Sequence, residues 1–104
     1  NKIRNNAKRR GIPFRLSIKE LWDLFLKQDR KCAMTGMEIK FGRYRRGEIT
    51  ASLDRIDSSK PYLENNVQWV HKEVNMMKQT YSVEHFLNMC EKIVNYSKGK
   101  QQTT

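Results

Sequence analysis

The sequence is short of cysteine, proline and acidic residues. Its 104 residues include 2 cysteines, 2 prolines and 11 aspartates plus glutamates, against 21 lysines plus arginines. A secreted scaffold of this size normally carries more cysteines, in pairs, so we expect a reducing cytoplasm. No apolar run approaches the roughly 18 to 20 residues that span a bilayer, so no membrane segment is expected.

The excess of basic residues gives a formal net charge of +10. A charge of this size favours a polyanionic partner, either nucleic acid or an acidic membrane surface. The alternative is that the charge only keeps the protein soluble, but the basic residues are clustered. We take the following as candidates for contacting a nucleic-acid backbone: Lys2, Arg4, Lys8, Arg9, Arg10, Arg43, Arg45, Arg46, Lys60 and Lys78.

The chain length predicts one small domain with short extensions. Residues 1–16 form a basic arm or short helix that ends at Gly11, residues 17–98 form the main domain, and residues 99–104 form a polar tail. Ser17 and Glu20 make a capping-box pattern that predicts a helix over residues 17–28. A second helix is predicted over residues 82–96 with Ser82 as its cap. Two apolar stripes at helical spacing are expected to pack in the core: Ile18, Leu21, Trp22 and Phe25 in the first helix, and Val83, Phe86, Leu87, Cys90, Ile93 and Val94 in the last.

The stretch from residue 51 to residue 78 is expected to be the centre of the fold. Residues 51–56 alternate as in a strand, with Leu53 on one face and Asp54 on the other. A turn-rich loop follows, then a second short strand at residues 67–70. Helix-forming residues begin at His71. This ββα unit, about residues 51–79, is too small to bury a core alone, so the flanking helices must support it.

The pattern D-R-I-D, then N-N-V, then N-x-x-K resembles the HNH endonucleases, which carry a ββα-metal (His-Me) finger. The segment Cys32-Ala-Met-Thr35-Gly36 is similar to a C-x-x-C-G knuckle whose second cysteine is replaced. The resemblance covers about residues 32–78. It implies an α+β fold in which the finger is braced by flanking helices. Small proteins of this family occur in phages, mobile elements and restriction systems, and a phage-encoded protein would act in the host cytoplasm.

The resemblance also implies roles for individual residues. Asp54 and Asn75 would be the oxygen ligands of one Mg²⁺ or Mn²⁺, with water and phosphate oxygens completing the shell. Asn66 would tie the loop to the hairpin, although the adjacent Asn65 is an alternative. Arg55 stands where the family has its general-base histidine. Arginine stays protonated and cannot accept a proton from water, but it can bind phosphate.

With arginine at position 55, three alternatives are open: metal-bound hydroxide or another base replaces the missing imidazole, the activity is slow and specialised, or cleavage has been lost. His71 is a candidate base, since it precedes Asn75 by four residues and would share its helical face if the helix includes it. Alternatively, Cys32 and His71 are remnants of a four-ligand zinc site. Structural zinc is not expected, because the other two positions hold Thr35 and Val74, which are not normal zinc ligands. The third possibility is a structural or exposed His71.

These observations predict a DNA endonuclease that hydrolyses phosphodiester bonds with a single divalent metal ion. One such site cuts one strand, so a monomer should nick DNA. Cutting both strands would need a dimer or two separate binding events. The alternative is a non-catalytic DNA-binding module on a degenerate HNH scaffold. A small RNA-binding protein would explain the charge but not the motif spacing. Both DNA-binding hypotheses predict binding that weakens steeply with salt, but only the enzyme should require a divalent ion.

Overall fold

The structure, a computed structural model, describes residues 2–40 and 49–102. Within these ranges the elements are α1 (Lys2–Arg9), α2 (Ile18–Lys27), β1 (Ala51–Arg55), β2 (Val67–His71), α3 (Lys72–Lys78) and α4 (Val83–Gln102). The predicted α+β class is confirmed, since these helices surround an antiparallel sheet of two strands. Among the described helices, none has both the length and the apolarity needed to cross a bilayer. The predicted basic cluster at Arg43, Arg45 and Arg46 lies outside the described residues.

The predicted succession of strand, loop, strand and helix is confirmed over residues 51–78. In the sheet, Leu53 pairs with Trp69 and Asp54 pairs with Gln68. Since side chains alternate along a strand, Asp54 and Gln68 share one face while Leu53 and Trp69 share the other. Helix α3 follows β2 without a loop and returns over β1, which brings its side chains to the face that carries Asp54.

Helix α2 supports the other face of the sheet. Its capping box forms as predicted: the Ser17 hydroxyl accepts from the Glu20 N–H, and the Glu20 carboxylate accepts from the Ser17 N–H. Leu21 and Phe25 are buried, and the Phe25 ring meets Trp69 edge-on with 6.1 Å between centroids.

The prediction that the whole apolar stripe of α2 lies in the core is wrong. Ile18 is 69% exposed and Trp22 is 38% exposed. A sheet of two strands is too narrow to cover more than the part of the helix centred on Leu21 and Phe25.

Polar contacts attach α2 and the knuckle segment to β2. The Gln28 side chain pairs with the Trp69 backbone, because Oε1 accepts from the Trp69 N–H and Nε2 donates to the Trp69 carbonyl, both at 2.9 Å. The Ala33 N–H also donates to that carbonyl, and the Trp69 indole N–H donates to the Leu21 carbonyl at 2.8 Å. The outer edge of β2 is therefore paired although the sheet has only two strands.

The N-terminal segment also packs on the ββα unit. Helix α1 ends before Gly11, whose φ of +71° is in the left-handed region that favours glycine. Ala7 is buried. Beyond the helix, Tyr62 pairs with the chain at residues 13–15, donating to the Pro13 carbonyl and accepting from the Arg15 N–H. The predicted basic arm is therefore attached to the loop of residues 56–66 between β1 and β2, which we call the finger loop.

The predicted support by a helix over residues 82–96 is observed only for the beginning of that helix. Ser82 caps α4 as predicted, since its hydroxyl accepts from the His85 N–H at 3.1 Å. Only Val83, Phe86 and Cys90 are half-buried, while the other members of the stripe (Leu87, Ile93 and Val94) are exposed. The rest of the protein therefore packs against only about the first two turns of α4. The helix continues to Gln102, so the described part of the predicted tail is helical.

Candidate active site

A pocket of about 410 Å³ opens between β1, α3 and the end of α1. Asp54 and Arg55 of β1, Lys72 and Asn75 of α3, and Arg10 contribute to its walls. Asp54 supplies the one carboxylate among the lining residues that the structure describes, whereas three lining side chains are cationic. The pocket therefore combines oxygen donors with an excess of positive charge.

Asp54 is deeply buried. The residue is 3% exposed, and its carboxylate has two partners on the same face of the sheet. Gln68, its neighbour on β2, donates from Nε2 to Oδ2 at 3.1 Å. Lys78 donates from Nζ to Oδ1 at 2.9 Å. Asp54 is therefore not a solvent-exposed residue at the end of its strand.

The interpretation of Lys78 as a nucleic-acid contact is wrong. Its side chain is 0% exposed, and its ammonium bonds the Asp54 carboxylate and the Arg55 carbonyl, the latter at 3.0 Å. Lysine is almost never fully buried unless it is paired. The last turn of α3 places Lys78 directly behind β1, so its charge is directed inward, away from solvent.

Asn75 holds α3 against β1 with its amide nitrogen. Nδ2 donates to the Ser52 hydroxyl at 2.6 Å and, more weakly, to the Leu53 carbonyl at 3.4 Å. These bonds orient the amide so that Oδ1 is the free end, and none of the described residues donates to it. Asn75 also lines the pocket, and its amide oxygen is the acceptor that it could offer to a ligand there.

Arg55 organises the finger loop. Its Nη1 donates to the carbonyls of Ser58 and Lys60, at 2.7 and 3.1 Å, and its guanidinium lies 5.3 Å from the centroid of the Tyr62 ring. It also lines the pocket, and the described residues include no acceptor for its Nη2. The arginine therefore fixes the loop and keeps donors that can face a phosphate.

Asn66 ties the loop to the hairpin, as predicted. The residue is 5% exposed, and its Oδ1 accepts from the Asp57 N–H at 2.9 Å. Its Nδ2 donates to the carbonyls of Asp57 and Pro61, at 3.0 and 2.9 Å. The neighbouring Asn65 is exposed. Of the two candidates, Asn66 holds the loop, and its contacts are structural.

The structure does not bring His71 into this pocket. The residue ends β2 and precedes α3, where its Nδ1 accepts from the Glu73 N–H at 3.1 Å. Its strand partner is Ala51, which lies three residues before Asp54 along β1 and on the opposite face of the sheet. His71 acts as the cap of α3, and it is not among the residues that line the pocket.

Cys32 lies next to His71, but its sulfur contacts the backbone of the histidine and not the imidazole. The buried Cys32 sulfur interacts with the Thr35 hydroxyl and with backbone N–H groups that include His71. Burial raises the pKa of the thiol, but these hydrogen bonds outweigh it and bring the pKa below its ordinary value. In the described ranges, no three His, Cys, Asp or Glu side chains are grouped to hold a metal ion.

The remaining basic residues predicted to contact nucleic acid differ in how accessible their side chains are. Arg10 lines the pocket. Arg4 is folded back, with Nη2 donating to the Leu16 carbonyl at 3.0 Å and the guanidinium over the Phe14 ring. Lys8, Arg9 and Lys60 are exposed, and Lys2 begins α1.

Sequence reasoning missed Lys72 and Gln68. Lys72 precedes Asn75 by three residues on α3, and this spacing places both on one helix face. That signal was readable in the sequence, whereas the pairing of Gln68 with Asp54 depends on the strand register.

Comparisons with protein-family models, with curated proteins and with solved structures find no match for this chain.

The donor set of the pocket fits a hard divalent cation. Asp54 and Asn75, which carry a carboxylate and an amide oxygen, both line the pocket. Two hydrogen bonds leave part of the acceptor capacity of the Asp54 carboxylate, which has about four lone-pair sites. Mg²⁺ is commonly held by one or two carboxylates together with substrate phosphates and water. Asp54 and Asn75 are thus the residues that would hold the ion.

Proposed function

We propose that this protein is a metal-dependent DNA endonuclease of the HNH type that nicks DNA. The observation that carries the proposal is the convergence of Asp54 from β1 and Asn75 from α3 on one cationic pocket. A pocket with an excess of positive charge suits a phosphodiester, and the oxygens suit a divalent ion. The motif spacing of the HNH family points to the same residues.

Each part of the pocket has a task in this proposal. Arg10 and Lys72 bind the phosphate backbone beside the scissile bond. Arg55 positions the finger loop through its two carbonyl contacts and directs its remaining donors towards the phosphate charge that develops during cleavage. Lys78 and Gln68 hold the Asp54 carboxylate in place.

A bound metal ion would explain how the protein can act without a general-base histidine at position 55. A divalent ion at Asp54 and Asn75 would polarise the scissile phosphate and lower the pKa of the attacking water. Neither His71 nor Arg55 is needed as a general base in this proposal, and a residue that stays protonated is tolerated at position 55.

One observation favours the second candidate, a DNA-binding module without catalysis. The Asp54 carboxylate already carries a full ion pair with Lys78, and an ion pair of this kind is also what a purely structural carboxylate needs. In that case the cationic pocket binds a phosphate and no metal is required.

A nicking assay on supercoiled plasmid separates the two candidates. Wild-type protein is assayed with Mg²⁺, Mn²⁺ or EDTA beside Asp54→Asn, which keeps the shape and hydrogen-bonding oxygen of the side chain but removes its charge. Asp23→Asn is the matched control, because Asp23 is an exposed carboxylate whose described partner is Lys19 on the surface of α2.

The nuclease proposal predicts nicking that requires the metal, is reduced by about 100-fold or more in Asp54→Asn, and is unchanged in Asp23→Asn. A loss of that size corresponds to about 2.7 kcal/mol of transition-state stabilisation. DNA binding that is equal in EDTA and Mg²⁺, with no nicking by any variant, would establish the binding module instead.

A further inference from the structure

Lys78 is an unusual component of a cation site, because it is itself a cation with no access to solvent. Its ammonium lies 2.9 Å from Asp54 Oδ1 and 3.0 Å from the Arg55 carbonyl, and its side chain is 0% exposed. DNA cannot reach it. Whatever it contributes to function must act through Asp54 and the backbone of β1.

The ion pair changes the charge that an incoming metal encounters. Asp54 and Lys78 together are neutral, and the other charged side chains lining the pocket (Arg10, Arg55 and Lys72) are cationic. A divalent ion bound beside them would add two positive charges to a pocket whose described lining residues offer no further negative charge. Charges in such a partly buried site interact more strongly than they do in bulk water.

A phosphodiester supplies the missing negative charge. It carries one unit of negative charge and offers oxygen atoms, which Mg²⁺ and Mn²⁺ take as ligands. The metal and the DNA backbone are therefore each expected to bind poorly to the pocket alone and better in the presence of the other.

We propose that Lys78 is an internal counter-charge that makes metal binding at Asp54 and Asn75 depend on a bound phosphodiester. The inference rests on the proposed nuclease function and specifies how the site is regulated. Lys78 is a positioning residue in this scheme, since it contacts neither metal nor DNA. The metal would be retained when DNA is present, which limits occupancy of the site by free ions.

The coupling can be measured by binding alone. By thermodynamic linkage, Mn²⁺ and DNA must change each other's affinity by the same factor, and couplings of this kind are typically about 5- to 150-fold. We expect Mn²⁺ to tighten binding of a fluorescent phosphorothioate duplex to the wild-type protein by about tenfold or more, as measured by anisotropy at fixed salt. Asp54→Asn should lose this gain, and it also corrects for effects of Mn²⁺ on the DNA itself.

Removing the counter-charge should release the metal from its dependence on DNA. In Lys78→Met, the unpaired Asp54 carboxylate should bind Mn²⁺ without DNA about tenfold more tightly than wild type, measured as loss of the free Mn²⁺ signal in electron paramagnetic resonance. Lys72→Met is the matched control, because it removes an exposed lysine from the same pocket. It should weaken DNA binding and change Mn²⁺ affinity by less than about threefold, because solvent screens its exposed charge far more than that of the buried Lys78, which contacts the Asp54 carboxylate directly.

Lys78→Met also tests folding, since it leaves a buried carboxylate unpaired. Asp54→Asn likewise leaves the buried Lys78 unpaired, so thermal melts check that both variants fold, and if either does not, the Mn²⁺ affinity of the wild-type protein with and without DNA decides the question. Equal Mn²⁺ affinity with and without DNA in the wild-type protein would overturn the inference.

Failure of this inference can be told apart from failure of the nuclease proposal. Metal-dependent nicking together with tight Mn²⁺ binding that neither DNA nor Lys78→Met changes would overturn only the role of Lys78. No Mn²⁺ binding and no nicking, with or without DNA, would overturn both.

Discussion

The side-chain amide of Asn66 should contribute strongly to the stability of the finger loop. The side chain makes three hydrogen bonds of 2.9 to 3.0 Å to the backbone of Asp57 and Pro61, and it is almost completely buried. Replacement by alanine removes all three, so the Asp57 N–H and the Pro61 carbonyl lose their partners, whereas the Asp57 carbonyl keeps the Lys60 N–H. Water can reach part of this backbone, because Asp57 and Pro61 are half-exposed.

At about 1 kcal/mol net for each bond, Asn66→Ala should lower the free energy of unfolding by about 3 kcal/mol. A domain of this size has a total of only about 5 to 15 kcal/mol. With a shift of about 4 to 8 °C per kcal/mol, the melting temperature should fall by about 12 to 24 °C. Urea unfolding followed by tryptophan fluorescence, together with thermal melts, measures both quantities.

Asn65→Ala is the matched control for this prediction. Asn65 is adjacent and exposed, and no side-chain hydrogen bond of Asn65 is present within the described residues. Its replacement should change the free energy of unfolding by less than about 0.5 kcal/mol. Equal losses in the two variants, or a larger loss in Asn65→Ala, would refute the assignment of the loop-holding role to Asn66.

Three further predictions concern residues outside the pocket. His71→Ala should cost about 1 kcal/mol of stability, because it removes the cap of α3, and should leave the nicking rate within about twofold of wild type; a tenfold loss of rate would place His71 in the chemistry. The Ser59 hydroxyl and N–H hold the pKa of the Asp57 carboxyl below its ordinary value. Because this pKa is lowered on folding, its contribution to stability is present above pH ~4 and is lost as the pH falls through the folded value; Ser59→Ala should raise the pKa in an NMR titration, and an unchanged value would contradict the assigned cause. Deletion of residues 96–104 should leave the melting temperature within about 3 °C, since the described residues from position 91 onwards are exposed; a larger fall would show that the distal part of α4 packs on the protein.

Local patterns in the sequence predicted the elements of the fold well. The capping box at Ser17, the stop at Gly11 and the two short strands depend on residues close together in the chain, so their signals do not require knowledge of the tertiary structure. Asn66 belongs to the same group, because its hydrogen-bond partners lie within ten residues of it. The extent to which each helix is buried was harder to predict, as the exposed Trp22 and Ile93 show.

An apolar stripe shows only that a helix has a face available for packing. How much of that face is covered depends on the size of the surface opposite. Here that surface is a sheet of two strands with one short helix, and it covers two turns of α4 and the middle of α2.

The sequence by itself determined the order of the elements and the excess of basic charge, and its resemblance to the HNH pattern pointed to Asp54 and Asn75. Only the tertiary structure decided the partners and the solvent access of Lys78 and His71. The sequence had indicated that Lys78 contacts DNA and that His71 is a candidate base. The strand register placed His71 on the face opposite Asp54, and the return of α3 over β1 buried Lys78 against that carboxylate. A lysine or histidine has the same intrinsic chemistry in any sequence, but its partner and its access to solvent depend on elements that are distant in the chain.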